Sequence, residues 1–528
     1  MKTLKKIFVL VLVMFTLLML LSFGVSASEK NNNVIMGFET TWKTFDPGRS
    51  YEPWANAVFN GVYDGLVKLK SGMSAEIEGS LAESYEILPD GLAITFSLRP
   101  GIKFTSGNNL TSKDVKWSFD RIKNLKGNPA FLTDTIDRIE TPDEKTVVIH
   151  LNELDGAFLY KLTSSPFCVL DSELVKSHGG TADKDAATTD NAEQWLTYNS
   201  AGSGSYVIEK YTPNDEMVLK RNENYWRGPA SVEKIVFKEM PDSTTQLFML
   251  KKGDIDVALS LNDDQLKEFK DDEDIEVLSF MTLLLQYVFM NTDPEISGPM
   301  ANPDVWKAVR YALDYKGIHK IVGEGAITPQ SIIQIGFLGA LPPRDPNYTN
   351  IEKAKELLVK AGYPNGFSTT LWTNTHETAG IKWVTMAQKV KEDLSKIGID
   401  VQIKTQTPTI GNAAMREGKV PFMIQSWGPD YMDSNNQLVF LPGGMYAAHR
   451  LNWKTEANPK LAQLGKVALI ETNDKKRAEI LGEIQKIMAE DSPYANIVQY
   501  PIQIAISKGL KGFEYSDAYK VELYKLSW

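Results

Sequence analysis

The chain has 528 residues, 43% of them hydrophobic and 23% charged, a globular balance that excludes extensive disorder over a length that exceeds what one core accommodates. Its 67 acidic and 57 basic residues leave a formal net charge of −10, which removes the electrostatic footprint of a nucleic-acid binder. A single cysteine, Cys168, excludes an internal disulfide, so stability has to come from burial in two lobes or more.

The first residues combine Lys2, Lys5 and Lys6, an apolar run from Ile7 to Leu21 and the small-residue sequence Val25-Ser26-Ala27. This three-part pattern predicts a secretory leader cleaved after Ala27. The apolar run is shorter than the ~20 residues a spanning helix needs, and no later segment is long and apolar enough to cross a bilayer. The remaining chain is therefore expected outside the cytoplasm. With Cys168 as the sole cysteine, none follows the leader to carry a lipid, so retention in a periplasm is expected rather than a lipoprotein anchor.

Val34 to Thr40 reads as a strand, followed by the turn Asp46-Pro47-Gly48 and by a helix within Trp54 to Leu66, where Val58, Val62 and Leu66 recur every fourth residue. Between Ser84 and Lys103 alternating apolar residues broken at Pro89-Asp90-Gly91 predict a β-hairpin. Thr111, with Asp114 three residues on, caps a helix whose buried stripe is Val115, Phe119 and Ile122. The stretch Gly179 to Gln194 is polar and turn-rich and reads as a surface connection. Strands follow at Ser205–Lys210, Met217–Arg221 and Ile235–Glu239, then a helix from Ser243 to Lys252 that stops at Gly253. Further helices start at Asn302-Pro303, after Asn350, and at about Ile381, the last leading into a strand from Ile399 to Lys404. Strands and helices that alternate in this way predict α/β lobes with helices covering sheets.

Little in the chain points to catalysis. None of the five histidines pairs with another at a metal-binding helical spacing, and His376 and His449 read either as cleft residues or as surface and packing residues. Gly202-Ser203-Gly204-Ser205 lacks the remaining positions of both phosphate-loop patterns and reads as a turn. No Gly-x-Ser-x-Gly elbow is present, and the pairs Asp263-Asp264 and Asp271-Asp272 read as a solvated face. No metal and no cofactor is expected. The one suggestive cluster is Trp427-Gly428-Pro429-Asp430-Tyr431, which follows the apolar strand Val420 to Gln425. In one reading Asp430 emerges at a strand end and pairs with a ligand ammonium between aromatic walls. In the other it shapes a turn while Trp427 fills a core.

Leu81-Ala82-Glu83-Ser84-Tyr85 through Asp90-Gly91-Leu92, Phe96 to Phe104 and Leu110 to Val115 resembles the signature segment of the bacterial extracellular solute-binding proteins of family 5, the dipeptide- and oligopeptide-binding proteins of ABC importers. Gly202 to Tyr206, Leu219 to Asn222 with Asn224-Tyr225-Trp226, Met290-Asn291-Thr292, Val309 to Asp314 and Ala354 to Gly366 extend the resemblance in family order. It implies an α/β, two-lobed periplasmic binding protein of type II, in the large peptide-binding subclass, with an extra subdomain inserted in lobe one and a hinge between the lobes. The expected segments are the leader 1–27, lobe one 28–70, the inserted subdomain 71–200, lobe one again 201–285, lobe two 286–500 and a return to lobe one over 501–528.

The resemblance also implies a function without catalysis, in which a monomer captures short peptides between its lobes and delivers them to the permease subunits of an ABC transporter. Asp430 would receive the peptide's α-ammonium, with Trp427, Gly428 and Tyr431 around it and Thr40, Thr41 and Trp42 of lobe one opposite. Relatives specialised for dipeptides place an arginine before the helix at Met386 to Lys396; this chain has Lys382-Trp383-Val384-Thr385, which does not imply a strict dipeptide receptor. An oligosaccharide receptor of the same family is the alternative, given eleven tryptophans as stacking faces, and a secreted hydrolase is the reading from another class.

Overall fold

The computed structural model describes residues 32–39, 42–70 and 76–528, so the expected leader lies outside the described residues, as do Thr40 and Thr41. A ten-stranded sheet runs through the molecule, in the spatial order Ile399–Gln406, Phe367–Asn374, Phe422–Trp427, Ile275–Met290, Tyr494–Ser507, Val257–Ala258, Asn33–Phe38, Lys234–Glu239, Glu216–Arg221 and Tyr206–Thr212. Its two ends belong to different cores. Val34, Met36, Phe237 and Leu219 pack lobe one, whereas Val288, Leu371, Ile399 and Ile424 pack lobe two with the helices Pro303–Ala312 and Trp383–Ser395.

The long antiparallel strands Ile275–Met290 and Tyr494–Ser507 cross from one lobe to the other. The first also pairs with Phe422–Trp427 of lobe two and the second with Val257–Ala258 of lobe one. The segment boundaries expected after Leu285 and Tyr500 both fall inside these strands. Their pairing runs without a break from Ile275↔Ser507 to Met281↔Pro501 and resumes at Leu285↔Gln499, so Thr282, Leu283 and Leu284 bulge against Tyr500 alone. Side chains pin the bulge: Thr282 Oγ1 donates to Tyr500 O at 2.7 Å, and Gln499 Nε2 donates to Thr282 O at 2.7 Å and to Ile335 O at 2.8 Å.

A separate antiparallel sheet, in the order Ala82–Ile87, Ala93–Leu98, Thr146–Leu151 and Ile136–Glu140, carries the helix Ser112–Leu125 on one face. The hairpin expected around Pro89-Asp90-Gly91 is its first pair. Thr111 caps the helix as expected, its backbone N–H donating to Asp114 Oδ2 at 2.9 Å, and Val115, Phe119 and Ile122 are buried beneath.

One connection departs from expectation. The stretch Gly179 to Gln194 contains the helical turn Ala186–Thr189, and the Asp190 side chain is fully buried rather than at the surface. Arg121, 1% exposed, donates to both oxygens of Asp190 at 2.9 Å and to both of Asp46 at 2.7 and 2.6 Å. Arg49 joins them, 3.5 Å from Asp46 and 3.3 Å from Asp190, so two carboxylates and two guanidiniums offset their desolvation here by pairing, and the polar sequence serves this inward contact. The helix expected from Ile381 begins instead at Trp383, because Ile381–Lys382 pairs with Glu377–Thr378 in a hairpin. Its turn residues Ala379 and Gly380 have φ of 49° and 73°, as a tight two-residue hairpin loop requires. Cys168 is buried, and burial raises its thiol pKa.

Candidate functional site

A cavity of about 640 Å³ lies between the lobes, within the ~300–1,000 Å³ usual for small-ligand sites. Its floor is the bulged crossing: Thr282 and Leu284 from one strand, Tyr500 to Gln503 from the other. Lobe one contributes Glu39 and Ser50 to Trp54, the four-stranded subdomain Thr163 to Pro166, and lobe two Glu377 to Gly380 and Gly428 to Met432. The short hairpin Tyr515–Ser516 with Lys520–Val521 closes the floor, and Asp517 at its tip accepts the N–H of Leu283, tying it to the bulge.

Asp430 enters the cavity from the loop after Phe422–Trp427. Asn436 holds that loop in shape: its Nδ2 donates to Asp430 Oδ2 at 3.0 Å, and its Oδ1 accepts from the Asp430 N–H and from Trp427 Nε1, both at 3.2 Å. The second carboxylate oxygen, Oδ1, accepts the hydroxyl of Tyr51 from the opposite lobe. Desolvation first, and then the Asp430 charge, raise the Tyr51 phenol pKa, so it remains a donor. Tyr51→Phe removes this bridge and is expected to shift the lobe equilibrium toward the open form by about 1 kcal/mol, the net worth of one hydrogen bond. Small-angle scattering would register a larger radius of gyration, whereas an unchanged one would rule out a role in closure.

The other expected site residues separate. Gly428 and Tyr431 line the cavity, although Tyr431 is only 8% exposed and packs into the core of the four-stranded subdomain, with Lys161 Nζ 5.5 Å from its ring centre. Trp427 stands behind the loop, edge-on to Phe440 at 5.1 Å and to Tyr446 at 5.7 Å, where it supports Asn436 rather than walling the cleft. Trp42 does not line the cavity: it is 5% exposed, among Phe38, Phe45 and Phe237. It fills the lobe-one core, as a large aromatic at the end of a buried strand commonly does.

Sequence reasoning missed several lining groups. Glu39 follows the first strand directly, so the strand-end rule that singled out Asp430 would have found it. Asp263 was assigned to a solvated face, yet it borders the cavity while Lys267 pairs with it at 2.6 Å. Tyr51 and Asp517 carry no local signal and reach the site only through the fold. Among the described residues, six acidic ones, Glu39, Glu52, Asp263, Glu377, Asp430 and Asp517, line the cavity against one lysine, Lys520, which lies 3.4 Å from Asp517. Among the described residues no group of three or more metal-ligating side chains is placed to hold a metal ion, and no helix is long and apolar enough to cross a membrane.

Behind the Asp430 loop the four-stranded subdomain docks on lobe two. Gly156 N–H donates to Leu469 O at 2.9 Å, and its carbonyl accepts from Arg477 Nη1 at 3.0 Å. A Cβ at Gly156 would sit 2.5 Å from Glu471 O, so the close approach requires glycine. Arg477, fully buried, also pairs with Asp433 at 2.9 Å. Desolvation outweighs that guanidinium and pushes the Asp433 carboxyl pKa up to about 6.

Comparison with known proteins agrees with this architecture. The chain is 29% identical over 497 residues to heme-binding protein A of Haemophilus influenzae, covering 89% of this chain and 86% of the relative. It is 26% identical to the probable D,D-dipeptide-binding periplasmic protein DdpA of Escherichia coli, covering 93% of each. The periplasmic binding protein DppA of Helicobacter pylori, solved with the peptide STSA, superposes with a TM-score of 0.76 at 24% identity over 94% of this chain and 98% of that one, which shows the shared type II two-lobed fold. The family model for bacterial extracellular solute-binding proteins, family 5, matches residues 76–445. The protein is therefore an extracytoplasmic binding protein that belongs to the bacterial extracellular solute-binding proteins of family 5.

Proposed function

We propose that the protein captures short peptides between its lobes and hands them to the permease subunits of an ABC importer, by reversible closure and without covalent chemistry. The carrying observation is Asp430, an anionic carboxylate held at a strand end in an interlobe cavity, braced by Asn436 on one oxygen and touched by the opposite lobe on the other. A peptide α-ammonium carries the complementary charge and donors, and a partly dry cleft strengthens the pairing. Gly428 next to it presents bare backbone: an added Cβ would find only Leu284 nearby, at 3.7 Å, which leaves room for an extended ligand to pair with the main chain. The relative DdpA, named for a D,D-dipeptide ligand, supports the reading across 93% of this chain.

Closure needs only a few kcal/mol of differential binding between open and closed states. The bulge at Thr282 to Leu284 is the natural hinge, because strand pairing is interrupted only there and between Gln286 and Tyr287. The proposal includes export by the leader and action as a monomer in a periplasm without a lipid anchor. The test is calorimetric titration with peptides bearing free or acetylated amino termini, alongside neutral oligosaccharides. Peptides with a free terminus should bind and their acetylated forms should bind at least tenfold more weakly. Equal binding of the two, or binding of oligosaccharides alone, would overturn the proposal.

A further inference from the structure

We infer that the preferred ligand carries a second positive charge, a lysine or arginine side chain, held between Glu39 of lobe one and Glu377 of lobe two. This inference rests on the peptide-capture reading and extends it to the ligand's side chain. The carboxylates of the cavity differ in how they are satisfied. Asp430 accepts from Tyr51 and Asn436, Asp263 pairs with Lys267 at 2.6 Å, and Asp517 accepts from Leu283 N–H and lies 3.4 Å from Lys520. Glu52 accepts the Ser50 hydroxyl at 3.4 Å. Among the described residues, the carboxylates of Glu39 and Glu377 alone in this set have neither a hydrogen bond nor an ion pair.

These two glutamates belong to opposite lobes. Glu39 directly follows the lobe-one strand Asn33–Phe38, and Glu377 opens the lobe-two hairpin whose residues Thr378, Ala379 and Gly380 also line the cavity. That hairpin leans on lobe one: a Cβ added at Gly380 would lie 2.6 Å from Asn262 Cβ, so glycine allows the close packing that sets Glu377 against the other half. Lys382 sits opposite Glu377 in the hairpin, yet it forms no ion pair with it and does not line the cavity. Partial desolvation at the cleft edge and, after it, the like charge of Glu377 raise the Glu39 carboxyl pKa.

Two unneutralised acids brought together by lobe closure repel, and a cation between them converts that repulsion into attraction to both. The pair therefore couples closure to ligand charge, at a place separate from Asp430. A neutral side chain leaves the repulsion standing, and an acidic one adds to it. Glu39 and Glu377 thus act as a charge filter assembled only when the lobes meet.

The experiment compares tripeptides with lysine at the second or third position with the same peptides carrying Nε-acetyl-lysine, titrated by calorimetry into the wild-type protein and a Glu39→Gln/Glu377→Gln variant, with the diamine putrescine as a third probe. Both positions are exposed, and an unchanged thermal transition checks that the variant is folded. Wild type should favour at least one lysine peptide over its acetylated form by tenfold or more. The variant should bind the two forms within about twofold of each other while retaining the acetylated peptide. Equal affinities in wild type, or a preference that survives in the variant, would overturn the inference. If no peptide binds, the peptide reading fails by itself: binding of putrescine to wild type and not to the variant would still support the charge filter, and its failure to bind would overturn both.

Discussion

Asp430→Asn should lower affinity for peptides with a free amino terminus by about 2–5 kcal/mol, the usual cost of removing one partner from a desolvated, hydrogen-bonded charge pair. Asparagine keeps the shape of the side chain; its one oxygen can still accept from Asn436, while its NH2 turns toward Tyr51, whose hydroxyl can accept as well as donate, so the loop that carries it should stay in place. What disappears is the negative charge that compensates a dehydrated ammonium. The same substitution should leave binding of acetylated peptides almost unaltered, which isolates the charge from any change in cleft shape. Titration calorimetry reads both, and a free-terminus peptide that binds Asp430→Asn as tightly as wild type would remove Asp430 from its role. Oligosaccharide binding, were it the true activity, would depend on aromatic faces and pass through the substitution unaffected.

The second large effect is on stability. Arg477→Met deletes the guanidinium paired with Asp433, leaving a carboxylate 3% exposed without that counter-charge, a loss of about 3–5 kcal/mol at pH 8. The pH dependence has a definite sign. With its folded pKa at about 6, above the ordinary 3.8, Asp433 binds more protons folded than unfolded between those values, so its contribution to stability falls as pH rises through that window. Without Arg477 the carboxyl pKa rises further and the window extends upward. The deficit of the variant should therefore grow from pH 5 to pH 8, measured as a widening gap in denaturant midpoint. A gap of constant size would show that the pair does not carry the loss. Arg477 also holds the Gly156 carbonyl, so the variant loosens the dock of the four-stranded subdomain on lobe two as well.

Local chemistry was legible where local rules decide the outcome. The cap at Thr111, the hairpin turn at Pro89-Asp90-Gly91, the helix stop at Gly253 with its φ of 80° and the helix start at Asn302-Pro303 follow from neighbouring residues and stand where the sequence placed them. The crossing strands escaped. Tyr494–Ser507 is buried along almost its whole length and Ile275–Met290 along its second half, and a strand covered on both faces has no alternating pattern to read. The site was legible in the same proportion. Asp430 announces itself by its position after an apolar strand, whereas Tyr51 meets it from the other lobe, and Glu377 and Asp517 reach the cavity only through the fold. Trp427 and Trp42 show the limit from the other side: an aromatic residue beside a cleft segment is as readily its buttress as its wall.

The interrupted ladder at the centre of the sheet has a mechanical consequence. Because hydrogen-bonded strands continue through both halves, the molecule resembles a leaf spring more than a pair of jaws on a pin. With the proposed hinge, bending would be concentrated in three residues, Thr282 to Leu284, whose own polar groups are clamped by Gln499, Gln334 and Asp517. Such a joint would flex by small torsional adjustments instead of rupturing pairs, so that each excursion would start and end in the same register and repeated loading would leave the two halves aligned.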